Sequence, residues 1–213
     1  MRTRTAWAGI AMIAAWLACS AATDEARDVT PPQSPRFVRP AHGVLFADDF
    51  SNGLRAWHPD RDGVWSVRHG ALRAELPDQR QLRSLAWAGD STWADYALDF
   101  DVCMMRGVDK GAVVRAAGET GIGVDVRGGT YQDVVAYVRE WPLGHAPALT
   151  PDAAWNHVTI EVVGEQLRVW VNGDLKLDRK QGHVKRGRIA LAAYTGGSGE
   201  CTVWYDNVVV TAR

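Results

Sequence analysis

The stretch Tyr96-Ala97-Leu98-Asp99-Phe100-Asp101-Val102-Cys103-Met104 alternates with a period of two. Tyr96, Leu98, Phe100, Val102 and Met104 fall on one face, and Asp99, Asp101 and Cys103 on the other, as in a strand with one side against a core. The same alternation recurs downstream in residues 158–162 and 167–171, where Asn172-Gly173 joins the second run to Leu175 and Leu177 as a type I′ hairpin turn. Residues 188–194 and 202–210 supply two further strands. Runs of this kind are broken by Gly, Asn and Asp turns, no stretch keeps a helical period beyond a turn, and no repeat is visible. Many short strands without crossover helices predict an all-β fold, an antiparallel β-sandwich or jelly roll.

Composition fits one such domain. The chain has 213 residues, 46% of them hydrophobic, with 10 Trp and 21 Gly, enough to bury a core and to supply many tight turns. A formal net charge of −1 leaves no basic excess to neutralise phosphates, so no nucleic-acid partner is expected. Arg2 and Arg4 precede an apolar run from Ala6 to Ala18 and the small residues Ser20, Ala21 and Ala22, which reads as an export signal over residues 1–22. Two processing routes compete there: peptidase cleavage after Ala22, or lipidation of Cys19, since Leu17-Ala18-Cys19-Ser20 partly matches a lipobox. The mature protein is therefore expected to be exported, either secreted or held in the cell envelope, with membrane contact only through a lipid anchor. Residues 23–42 carry four prolines and no periodicity and read as a linker, leaving residues 43–213 for the domain. Past the signal only Cys103 and Cys201 remain, and in an oxidising compartment an even pair predicts a disulfide, with two buried thiols as the alternative.

Four fragments, taken in order, resemble the concanavalin A-like lectin/glucanase sandwich. They are Asp48-Asp49-Phe50-Ser51 with Trp57; Trp65-Ser66-Val67-Arg68-His69-Gly70-Ala71-Leu72; Trp155-Asn156 with Leu167, Val169 and Asn172-Gly173; and Tyr205-Asp206-Asn207-Val208. Within that superfamily, Gly121-Ile122-Gly123-Val124-Asp125-Val126 followed by a long insertion and Trp155-Asn156 is most similar to 3-keto-disaccharide hydrolase (DUF1080-type) domains. The resemblance implies a glycan-binding or glycan-processing domain acting on glycosides or polysaccharides. A non-catalytic laminin-G-like module, binding carbohydrate or protein at the envelope, shares the framework and is the alternative. The paired-carboxylate strand of related endo-glucanases is absent, which lowers the expectation of retaining glycosidase chemistry.

In the resembling fold the ligand lies on the concave side of one sheet, so the polar residues alternating out of central strands are the candidates. Arg115 opposes the face of Ala112, Val114 and Ala116; Asp125 and Arg127 oppose Ile122, Val124 and Val126; Tyr137, Arg139 and Trp141 oppose Val134, Ala136 and Val138. Aromatic rings stack on pyranose faces while Arg and Asp bond hydroxyls, so this set suits a sugar; a solvated face of Arg–Asp pairs is the alternative. Residues 140–150, with Trp141 and His145, read as a site-shaping loop. If the chemistry is that of a 3-keto-glycoside hydrolase, Asp125, His145 or Glu140 would act as base, and Arg115 or Arg127 would stabilise the developing negative charge. Trp170 is a candidate second sugar platform, whereas Trp65, Trp87, Trp93, Trp155 and Trp204 read as framework. No cofactor is required; Asp49 and Asp206, near the two ends of the domain, are candidate ligands of a structural Ca²⁺, with turn capping as their other role.

Overall fold

The computed structural model describes residues 30–35, 42–118 and 120–213, so the export signal, Cys19 and most of the 23–42 linker lie outside the described residues. Residues 31–213 form one compact unit. Its strands are β1 (Val44–Asp48), β2 (His58–Pro59), β3 (Trp65–Arg68), β4 (Ala71–Leu76), β5 (Arg83–Ala88), β6 (Tyr96–Gly107), β7 (Asp109–Ala117) and β8 (Thr120–Arg127). After these come β9 (Asp133–Val138), β10 (Trp141–Pro147), β11 (Trp155–Val163), β12 (Gln166–Val171), β13 (Asp174–Lys180), β14 (Arg188–Tyr194) and β15 (Cys201–Ala212). No helix occurs among the described residues.

Two antiparallel sheets result. The larger has eight strands in the order β13-β12-β11-β6-β15-β4-β3, with β1 added on β15; the smaller has seven, β10-β9-β8-β7-β14-β5-β2. The alternation of residues 96–104 holds through β6: Leu98, Phe100, Val102 and Met104 are fully buried between the sheets, each burial contributing about 1.5–3 kcal/mol. The opposite face of β6 looks outward from the larger sheet, where Asp101 takes His157 Nδ1 at 2.8 Å and Asn207 Nδ2 at 2.6 Å. His157 Nε2 also lies 3.6 Å from Asp99, and the two carboxylates, first Asp101 and then Asp99, raise the His157 pKa to about 9. The predicted hairpin is present, with φ of 52° at Asn172 and 86° at Gly173, the left-handed pair a type I′ turn requires.

Tyr205, on the central strand β15, crosses the core. Its hydroxyl accepts the Gly111 amide N–H at 2.9 Å and lies 2.6 Å from the Ala192 carbonyl, joining the larger sheet to β7 and β14 of the smaller one. Part of the expected linker belongs to the folded unit. Trp155 Nε1 donates to the Pro32 carbonyl at 2.6 Å and Asn207 Nδ2 to that of Pro35 at 2.8 Å, so residues 31–35 lie over the outer face of the larger sheet.

The expected disulfide is not formed: Cys103 and Cys201 are both free and buried. They occupy adjacent strands, but Cys201 lies opposite Gly107 and Cys103 opposite Trp204. Cys201 packs in the core between the sheets, and Cys103 packs outside it with Ala71 and Trp204. At about 3.3 Å per residue along a strand, that offset and opposite facing put the pair beyond the roughly 7 Å Cα limit for a bridge.

Candidate functional site

Register fixes what the outer face of the smaller sheet displays. Residues paired across β5, β14, β7, β8, β9 and β10 form one row of Leu85, Ala192, Gly111, Asp125, Val135 and His145. The row on one side is Trp87, Ala190, Val113, Gly123, Tyr137 and Pro142. On the other side stand Arg83, Tyr194, Asp109, Arg127 and Asp133. One flank is therefore apolar and the other charged, and Asp125 stands between them with Gly111 opposite it on one side and Val135 on the other.

Glycine makes the central arrangement fit. A Cβ on Gly123 would sit 2.5 Å from the Tyr137 ring, so the ring lies directly over that backbone. From there the Tyr137 hydroxyl donates to Asp125 Oδ2 at 2.9 Å. Two cavities of about 370 and 380 Å³ flank this pair. The first has an apolar floor of Leu85, Trp87 and Val113 and is reached by Tyr137, Arg83 and Arg139. The second holds Asp109, Asp125, Arg127, Tyr131, Tyr194 and Ser198.

The electrostatics single out Asp125. Loss of water around the carboxyl raises its pKa to about 6; the Tyr137 hydrogen bond works against this, and the Asp109 charge adds to it. Asp109 is itself raised, chiefly by burial. The Tyr137 phenol is pushed up by burial and by Asp125, so it stays protonated. Arg127 is held: Nε meets Asp133 Oδ1 at 2.7 Å, Nη2 meets Oδ2 at 2.5 Å, and the guanidinium stacks 4.4 Å from the Tyr131 ring centre.

The candidates drawn from sequence therefore separate. Asp125, Arg127, Tyr137 and Arg139 gather around the two cavities. Arg115 does not: β7 bulges between Val114 and Ala117, which returns Ala116 to the outer face beside Val113 and turns Arg115 into the fold. There its guanidinium donates to the carbonyls of Ala94 (2.8 Å), Gly164 (2.7 Å) and Val184 (3.1 Å) and meets Asp95, a structural clamp with no access to a ligand. His145 shares the outer face but stands two strands from Asp125, roughly 10 Å at ordinary strand spacing, and lines neither cavity. Glu140, the other candidate base, is exposed in the β9–β10 turn outside both linings.

The expected loop over residues 140–150 is largely the edge strand β10, with Trp141 62% exposed at its start. Trp170 sits on β12 of the larger sheet and cannot share a ligand with Asp125. Asp49 caps the Ser51 amide at 3.1 Å and Asp206 that of Asn207 at 2.7 Å. Among the described residues no group of three or more acidic, His or Cys side chains could hold a metal ion.

Arg83, Trp87, Asp109, Tyr131, Tyr194 and Ser198 were not among the sequence candidates. Asp109 could have been found by counting back from Val113 through Gly111, but the bulge at Arg115 reverses the parity that residues 111–116 suggest.

Fold and site together define a two-sheet sandwich that carries an acid–tyrosine pair between two cavities on one face. The chain belongs to the 3-keto-alpha-glucoside-1,2-lyase-like domain family, whose model matches residues 44–211. No curated protein matches it in sequence. Among solved structures it is similar to the carbohydrate binding module CBM66 from Bacillus subtilis, at 13% identity over 74% of this chain and 96% of that one, with a TM-score of 0.63. A putative glycosyl hydrolase from Parabacteroides distasonis is similar at 16% identity over 80% and 98% of the two chains, with a TM-score of 0.55. Domain 4 of an extracellular arabinanase from Geobacillus stearothermophilus, solved in complex with arabinotriose, is similar at 13% identity over 79% and 92%, with a TM-score of 0.57. At these identities the likeness is one of fold.

Proposed function

We propose that this domain, by family one that binds or processes glycans, cleaves 3-keto-glycosides by elimination, with Asp125 as the base. The observation that supports this is the Asp125 carboxyl, poised at about 6 and hydrogen-bonded to Tyr137 between two sugar-sized cavities. A ketone at C3 acidifies the C2–H bond. Asp125 takes that proton, the electron pair forms C1=C2, and the glycosidic C1–O bond breaks. Arg127, in the same cavity as Asp125, offsets the charge that gathers on the ketone oxygen. Tyr137 touches Asp125 and lines the other cavity, so it donates its proton to the leaving oxygen and regains one from Asp125. Water adds to the unsaturated product to give the free 3-keto sugar.

The leader sequence, from Arg2 through Cys19, supports an exported protein, lipidated at Cys19 or cleaved after Ala22, in the envelope or beyond it.

The test is to incubate the purified protein with a 3-keto-disaccharide in D₂O. Release of the second sugar together with a 3-keto sugar that carries deuterium at its C2, both lost in Asp125→Asn, is the expected result. An intact substrate that nevertheless binds would show an interaction module instead and overturn the proposed chemistry.

A further inference from the structure

The cavity on the apolar side of Tyr137 contains two cations and no carboxylate among its described lining. Several arginines of the fold are ion-paired: Arg73 with Glu75, Arg127 with Asp133, Arg115 with Asp95, Arg106 with Asp78 and Glu200, and Arg168 and Arg213 with Glu161. Arg188 lies 4.9 Å from the Trp87 ring centre. Arg83 and Arg139 make no side-chain ion pair or hydrogen bond with a described residue, although the Arg83 charge acts on Asp125 and favours its ionised form, and both line the one cavity. Arg139 is also held in the left-handed region, with φ of 52°. A long L side chain there costs about 1 kcal/mol or more that glycine or asparagine would avoid.

A flat ring laid on Leu85, Val113 and Trp87 would present its substituents to these two guanidiniums. An arginine fork matches a planar carboxylate with two parallel hydrogen bonds, a fit that neutral hydroxyls cannot equal. We infer that this cavity takes a sugar ring bearing a carboxylate, a uronic acid, joined as the leaving group to the ring that Asp125 attacks. The inference rests on the proposed function, since it names the occupant of the second half of that site.

The experiment is calorimetry on the full chain with glucosyl-glucuronic acid and with its carboxyl-reduced counterpart, a glucosyl-glucose of the same linkage. Neither carries a 3-keto group, so binding is read without turnover. The uronate should bind about five- to tenfold more tightly at low salt, with the advantage fading at about 0.5 M salt, because both cations are solvent-exposed. In Arg83→Gln with Arg139→Gln the ratio of the two affinities should fall to near one; both affinities are read on one preparation, which controls for folding. Equal binding of the two sugars by the wild type, or a preference that survives the double substitution, overturns the uronate assignment alone. Tighter binding of the corresponding 6-sulfate ester replaces carboxylate by sulfate and overturns it too. Failure of both disaccharides to bind overturns the reading of this face as a glycoside site.

Discussion

Asp125→Asn should stabilise the fold at neutral pH while abolishing turnover. Burial lifts the Asp125 carboxyl from its ordinary 3.8 to about 6, so between those values the native state holds a proton that the unfolded chain releases. Stability therefore falls as pH rises from about 4 to 6 and stays low above, where the native protein carries an unfavourably placed charge. At 1.36 kcal/mol per pKa unit the full effect is about 3 kcal/mol. Asn keeps the oxygen that accepts from Tyr137 but never ionises. Partial water access to Asp125 and the retained amide reduce the gain to about 1–2 kcal/mol, or about 3–6 °C in Tm for a domain of this size. Thermal melts of both proteins at pH 8, 6 and 4 check it: the variant should melt higher at pH 8, and the difference should shrink to a small fraction by pH 4. A variant no more stable than wild type at pH 8, or a difference that does not change with pH, would refute the claim that a desolvated carboxylate sits there.

Three other outcomes are expected. His157, raised to about 9 by Asp101 and Asp99, stabilises the fold fully below its unfolded value of 6.5 and loses that contribution as pH rises through 9, so His157→Gln should lower Tm at pH 6 and leave it nearly unchanged at pH 10. Burial raises the thiols of Cys103 and Cys201 to about 11 and 12, and they are unbridged, so a thiol reagent should titrate neither in the native protein and both in denaturant without reductant. Gly123→Ala should push the Tyr137 ring off its seat and lower turnover of a 3-keto-glycoside about tenfold or more, the scale expected when a catalytic hydrogen bond is misplaced, with far-UV circular dichroism unchanged.

The parts of the fold that could be read from sequence are those where backbone geometry follows a strict period. β6 and the Asn172-Gly173 hairpin obey the period of two and the left-handed turn rule, and both were legible. That Asp125, Arg127 and Tyr137 share one face could be read because β8 and β9 keep the same alternation without interruption through their pairing. Arg115 was misplaced because one extra residue in β7 shifts every later side chain to the other face, and nothing in Val113-Val114-Arg115-Ala116 announces it. β10 looked like a loop because Pro142, Gly144 and Pro147 are poor strand formers, yet an edge strand tolerates prolines whose missing N–H faces away from its one neighbour. Cysteine number alone could not show that Cys103 and Cys201 face opposite ways; that depends on the β15 register and on the bulge between Thr202 and Val203.

The clasp of Trp155 and Asn207 on residues 31–35 has a mechanical meaning. Tension arriving along the chain from before Pro31 is delivered to two indole and amide hydrogen bonds on the larger sheet, ahead of the terminal strand β1. That sheet is the back of the molecule relative to Asp125 and Tyr137. A domain immobilised through that end would present the Asp125–Tyr137 face outward, with the whole thickness of the sandwich between the point of attachment and the two cavities.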